Sequence, residues 1–177
     1  GYAESHDEER VLYKATKENG QVFNNLPRAH KRMSALGAVH LLVPGPKMIY
    51  HFGDLGYESS IFTCNNGTVN TSNCKLDTKP QPQWTGNWLQ NVARKQSYDD
   101  WSHFNLLKKS EAIFSKGIPT WNFSTTGKTR LDINYSTAAN NELSRVIVLT
   151  NMTNAVSTTN VTFPFTGTWY NLMDNST

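Results

Sequence analysis

Glu4-Ser5-His6-Asp7-Glu8-Glu9-Arg10 lies close to the start of the chain, and its reading decides the fold. His6 and Asp7, two groups suited to sugar or proton chemistry, sit side by side after a short apolar lead, Tyr2-Ala3. A helix-like pattern follows them. A catalytic residue at the carboxyl end of a barrel strand has this setting. So does an ordinary helix start. Ser5 and Glu8 have the Ser-x-x-Glu spacing of a capping box, and Glu8 and Glu9 suit the positive first turn of a helix. The heptad alone leaves both readings open, and the residues behind it must separate them.

Working outward, residues 8–18 read as a helix that Asn19-Gly20 breaks. A second helix spans Pro27 to Leu42. Pro27 suits its first turn, and Leu26, Ala29 or His30, Met33, Leu36 or Gly37, and His40 recur at helical spacing. Pro44-Gly45-Pro46 stops it. Lys47-Met48-Ile49-Tyr50-His51-Phe52 is apolar and aromatic without strict alternation, as in a strand buried on both faces. From Gly53 to Trp84 the chain shows little periodicity, and a loop of about thirty residues in a compact domain is usually functional. Trp84 to Lys109 is helical again. Val92, Tyr98, Trp101, Phe104 or Asn105, and Leu106 to Leu107 supply its apolar face, and Lys108-Lys109 stand where cations favour a helix end.

After Ser110 the composition turns to Thr, Asn, Val, Ile and aromatics. Strands are expected at Thr120–Phe123, Arg130–Tyr135, Arg145–Thr150, Ser157–Phe163 and Thr168–Leu172. That spacing predicts an antiparallel sandwich. The expected class is therefore α+β in two parts, residues 1–109 and residues 110–177, packed together across a short join.

The 177 residues have a mean hydropathy of −0.55 and a net charge of +3. No apolar run approaches the ~18 residues of a membrane span. The basic pairs Lys31-Arg32 and Lys108-Lys109 form no stripe interleaved with aromatics, which argues against nucleic acid as a partner. Cys64 and Cys74 are the two cysteines. With no His or Cys companion they make a poor metal site, and a local disulfide is the better reading, with free thiols as the alternative. A disulfide implies an oxidising compartment. Asn-x-Ser/Thr sequons at Asn66, Asn70, Asn122, Asn134, Asn151, Asn160 and Asn175 fit surface loops of a secreted protein, or simply Asn/Thr-rich strands and turns in a bacterial one. No basic start leads into an apolar segment of signal-peptide type. The opening Gly1-Tyr2-Ala3 reads as cut from something longer.

The order of these pieces resembles the C-terminal part of the alpha-amylase family (glycoside hydrolase family 13). In that family the seventh barrel strand ends in Phe-x-x-Asn-His-Asp. Glu4-Ser5-His6-Asp7 resembles it, with Ser5 where Asn is usual. The eighth strand and its loop resemble Pro44-Gly45-Pro46 through Gly53-Asp54-Leu55-Gly56-Tyr57. Strands typical of the family's all-β domain are similar to Val146–Asn154 and to Gly167-Thr168-Trp169-Tyr170-Asn171-Leu172. The resemblance covers nearly the whole chain in order. The Cys64–Cys74 loop looks like that of secreted bacterial members, which implies a secreted, periplasmic or cell-surface location.

What the resemblance implies is specific. The fold would be the last quarter of a (β/α)8 barrel followed by a β-sandwich. The parent would be a retaining glycosidase acting on α-glucans such as starch, glycogen or maltooligosaccharides. Asp7 would be the third catalytic-site carboxylate, which neither attacks nor protonates but hydrogen-bonds the sugar at the cleaved bond, and His6 would bind the same sugar. Nucleophile and general acid sit on the family's fourth and fifth strands, and a whole barrel takes about 250 residues. The 177-residue chain is therefore expected to be inactive alone. No cofactor is expected, because the family's calcium is bound by upstream loops. An unpaired barrel-strand edge predicts self-association. Asp54 and Glu58 are expected to shape the long loop and pair with Arg or Lys rather than act with Asp7. Trp101 and Trp169 read as packing, and Trp84 and Trp88 as candidates for glucan contact. The reading from a different class is a non-catalytic carbohydrate-binding or structural β-sandwich module.

Overall fold

The computed structural model describes residues 1–18, 25–69, 74, 83–124, 126–153 and 155–177. It is an α+β structure whose helices cover one face of a three-stranded antiparallel sheet. The helix break at Asn19-Gly20, the sequon at Asn70, the Pro80-Gln81-Pro82 stretch and the Trp84 side chain lie outside the described residues.

The first helical turn, α1 (Val11–Tyr13), runs into a π-turn, Lys14–Glu18. Helix α2 (Leu26–Leu41) starts where Asn25 Oδ1 accepts the Arg28 N–H at 3.2 Å, with Pro27 in the first turn. It ends before Pro44, and Gly45 takes a φ of 97° that other residues resist. A short turn, α3 (Gln83–Gly86), leads towards the long helix α4 (Val92–Ser110). Asn91 caps α4 by accepting from the Ala93 and Arg94 N–H groups at 3.0 and 3.2 Å. A further turn, α5 (Ile113–Lys116), feeds the sheet.

Helices α2 and α4 pack face to face, because Ala29, Met33, Gly37 and Leu41 recur on one and Ser97, Trp101 and Phe104 on the other. Gly37 has no room for a side chain: a Cβ there would lie 2.4 Å from Trp101 Nε1. The indole N–H donates to the Met33 carbonyl at 2.8 Å. Loss of that fit would open the centre of the helix pair.

Strands β1 (Ile118–Phe123), β2 (Lys128–Asn134) and β3 (Arg145–Asn151) pair in that order. Trp121 stands opposite Leu131, and Leu131 opposite Val148. Burial alternates along β2 and β3, so Leu131, Ile133, Val146 and Val148 face the helices. They join Leu12, Met33, Leu41, Trp101, Phe104, Ile113 and Phe114 in a continuous core that runs through helices and sheet alike.

Three expected strands do not form, for one reason. Lys47–Phe52 forms no strand; Met48 makes a single parallel bridge to Tyr2, and Met48 N–H donates to the Gly1 carbonyl at 2.9 Å. Ser157–Phe163 and Thr168–Leu172 are irregular, and no second sheet forms among the described residues. A strand needs a neighbour to take its N–H and C=O groups. Ser157–Phe163 is tethered to side chains instead: Lys128 Nζ donates to the Thr158 carbonyl at 3.2 Å, and Arg130 Nη1 to that of Thr162 at 2.9 Å.

Candidate functional site at the rim of the paired segments

The Tyr2–Met48 bridge is parallel, so both segments run on in the same direction from it. Glu4–Arg10 follows one, and Tyr50–Ile61 follows the other. The two connections therefore share a rim.

Within the heptad, burial sorts the side chains. Glu4, Ser5 and Arg10 are buried, while His6, Asp7 and Glu8 are exposed. Ser5 Oγ bonds the Glu8 carboxylate and accepts the Asp7 N–H at 3.1 Å. This tight turn presents His6 and Asp7 outward, with His6 Nε2 3.2 Å from Asp7 Oδ2 and both side chains more than half exposed. The capping-box reading is corrected here. Ser5 and Glu8 do bond each other, but the helix begins six residues after Ser5, at Val11, and it is Glu4 Oε2 that accepts the Val11 N–H at 3.0 Å.

Arg10 is the anchor. Its side chain is only 2% exposed. Its Nη1 donates to the His51 carbonyl at 2.8 Å, and its Nη2 lies 3.2 Å from His51 Nδ1. The guanidinium stands 4.9 Å from the Tyr50 ring centre and 4.4 Å from that of Tyr57. Glu4 Oε1 lies 3.8 Å from Arg10 Nη1. Burial pushes the Glu4 carboxyl above its ordinary range; the Val11 N–H and Arg10 pull it back, and the Asp54 charge pushes it further up. Gly53 is required beside it, since a Cβ there would meet Glu4 Oε1 at 2.3 Å. Glu9 makes a second strap, accepting from Ile61 N–H at 2.8 Å and from Ser60 Oγ at 2.5 Å.

The loop is fixed from its other side by Arg94 of α4. Its Nη1 donates to the carbonyls of Leu55 and Gly56 at 3.0 and 2.7 Å, its Nη2 pairs with Glu58, and its guanidinium lies 4.2 Å from the Trp88 ring centre. Glu58 is thus spent on an ion pair. Asp54 caps its own turn through the Leu55 N–H at 3.1 Å, and burial raises its pKa. Glu58 pairs with an arginine as expected, whereas Asp54 is bonded to a backbone N–H. Trp88 is occupied by Arg94 and by Tyr57, with ring centres 5.4 Å apart, which makes it a packing residue rather than a free sugar platform. Trp101 lies in the core, and Trp169 packs between Phe163 and Phe165.

The remaining histidines have local partners: His30 with Ser97 at 2.9 Å, His40 with the Met48 carbonyl at 3.3 Å and His103 with the Leu172 carbonyl at 2.7 Å. Cys64 and Cys74 form a disulfide, S–S 2.01 Å, in the long loop. Among the described residues no three His, Cys, Asp or Glu side chains gather into a set that would hold a metal ion, and no helix is long and apolar enough to cross a membrane. A larger, mostly apolar cavity of about 800 Å³ lies elsewhere, between α2, α4, β3 and the segment carrying Phe163 and Trp169.

His6 and Asp7 were legible in the sequence. Glu4, Arg10, His51 and Arg94 were not, because hydropathy assigns charged residues to the surface and only tertiary contact buries them. No protein-family model matches the chain, and no curated protein matches it.

Proposed function

We propose that the chain is the C-terminal part of a retaining glycoside hydrolase of the alpha-amylase family, secreted or held at the cell surface, and that its rim binds an α-glucan. On this reading residues 1–109 are the end of a (β/α)8 barrel and residues 110–177 the start of a β-sandwich. The observation that supports it best is the parallel register of Tyr2 with Met48, which sets the His6–Asp7 turn and the Tyr50–Ile61 loop side by side at the same end of two segments. The disulfide fits an oxidising compartment.

The chemistry follows from where charge develops. Cleaving a glycosidic bond makes the sugar ring positive in the transition state. A fixed carboxylate beside the ring stabilises that charge more than it stabilises the ground state. Asp7 takes this role and accepts hydrogen bonds from sugar hydroxyls, while His6 bonds the same sugar. Retention also needs a nucleophile and a general acid about 5–5.5 Å apart. Glu58 is committed to Arg94 and Asp54 accepts the Leu55 N–H, and on this reading the nucleophile and general acid come from the family's fourth and fifth strands, outside these residues. The chain therefore binds glucan without cleaving it. The free outer edges of β1 and β3, with Ile118, Phe123 and Leu149 exposed, support self-association as part of the same proposal. The test is maltoheptaose binding by wild type and Asp7→Ala, with reducing sugar measured in the same samples.

A further inference from the structure

His51 is the residue of the rim that the proposed function leaves unused. It has a φ of 28°, and Phe52 after it has a φ of 62°. Two consecutive non-glycine residues with positive φ are strained, and such strain persists only where the surroundings impose it, most often at ligand clamps and active sites. The imposing group here is Arg10, which grips both the carbonyl and the ring of His51.

That grip sets the chemistry of the ring. A guanidinium only donates, so the nitrogen it meets, Nδ1, must be a lone-pair acceptor. The proton of the neutral imidazole is then on Nε2. Burial, and then the Arg10 charge, lower the His51 pKa and hold the ring neutral. The Tyr50, Phe52 and Tyr57 rings surround it, with centres 5.5, 4.9 and 6.4 Å away. Nε2 has no partner among the described residues and is not shut off from solvent. His51 follows Met48 by three residues, and Asp7 follows Tyr2 by five, so both lie beyond the same end of the bridged pair.

We propose that His51 is a sugar-binding residue of the rim, its tautomer fixed by Arg10 so that Nε2–H is presented as a hydrogen-bond donor to a hydroxyl of the α-glucan that Asp7 contacts. Nothing is transferred; the ring donates one hydrogen bond and stays neutral. The inference rests on the glucan reading of the rim and adds a residue and a direction of bonding to it.

Nitrogen-15 spectra of the histidine rings of the 177-residue chain test it, with and without maltoheptaose. The free protein should show His51 protonated on Nε2 alone, and maltoheptaose should shift that resonance. His51→Phe should weaken binding about tenfold, while His51→Gln, whose amide N–H replaces the donor, should stay within about threefold of wild type. Both variants keep the carbonyl that Arg10 holds. A His51 ring protonated on Nδ1 overturns the inference. So does maltoheptaose that binds with the His51 resonance unmoved, and this result leaves the glucan reading standing. Absence of any binding by the wild-type chain overturns both. If His51→Phe does not fold, the wild-type spectra and His51→Gln still decide.

Discussion

At the scale of the residue, Arg10 is the side chain on which the rim depends most. It is buried among Tyr50, Tyr57, Glu4 and His51, and it ties the chain's first segment to a loop forty residues on. Arg10→Ala would leave Glu4 buried without its cation, and breaking a buried pair from one side costs about 3–5 kcal/mol. Urea unfolding should show that loss; a change below about 1 kcal/mol would mean that Glu4 simply takes up a proton. His30 makes a pH-dependent contribution. Burial, helped by the Arg94 charge, pushes its pKa down from 6.5 to about 4. A depressed folded pKa gives stability that is present above 6.5 and is lost as pH falls from 6.5 towards 4. The full loss is about 3 kcal/mol. Glu4 and Asp54, with raised pKa values, act in the opposite direction over the carboxylate range. The His30 share is therefore the difference in acid slope between wild type and His30→Gln, and equal slopes would contradict it. None of this was visible in composition. His30 stood on the apolar spacing of the second helix, but nothing in the sequence showed Glu4 and Arg10 as interior residues, because only their tertiary partners bury them.

At the scale of elements, local signals were read correctly where the structure is local. Pro27 and Pro44 bound α2, Lys108-Lys109 end α4, and the first three of the expected strands form within a residue or two of their places. Ser5-x-x-Glu8 misled because the spacing is shared while the bonds differ: a capping box joins each side chain to the other's backbone N–H, and here Ser5 Oγ bonds the Glu8 carboxylate itself. Lys47–Phe52 misled twice: none of its six residues is buried, and the segment has only the one bridge, to Tyr2, where a strand requires a partner along its length. The two last strands failed likewise; Phe163 and Phe165 stay exposed and contact the Trp169 ring rather than a sheet. The Cys64–Cys74 bridge is an element in its own right. It spans ten residues of sequence in the long loop. Loop-closure entropy for that length gives about 2–3 kcal/mol. Reduction should lower the unfolding free energy by that amount, and an unchanged denaturation midpoint would show that the loop is ordered without it.

At the scale of the molecule, one core joins helices and sheet, and the rim stands at the other end of the helices' work. Arg94 in α4 fixes the loop from below while Arg10 and Glu9 fix it from the head. The result is a firmly held base, and on the proposed reading His6, Asp7 and His51 meet the sugar there. Such an arrangement is suited to binding a sugar in a set orientation. Among its described carboxylates, Glu58 is bonded to Arg94 and Glu9 to Ser60 and Ile61. The most direct measurement is calorimetric titration of maltoheptaose into wild type and Asp7→Ala, with reducing sugar assayed afterwards. The account predicts saturable binding by wild type and about tenfold weaker binding by Asp7→Ala at an unchanged melting temperature, with no new reducing ends from either. Equal affinities, no saturable binding, or hydrolysis by the 177-residue chain would contradict it.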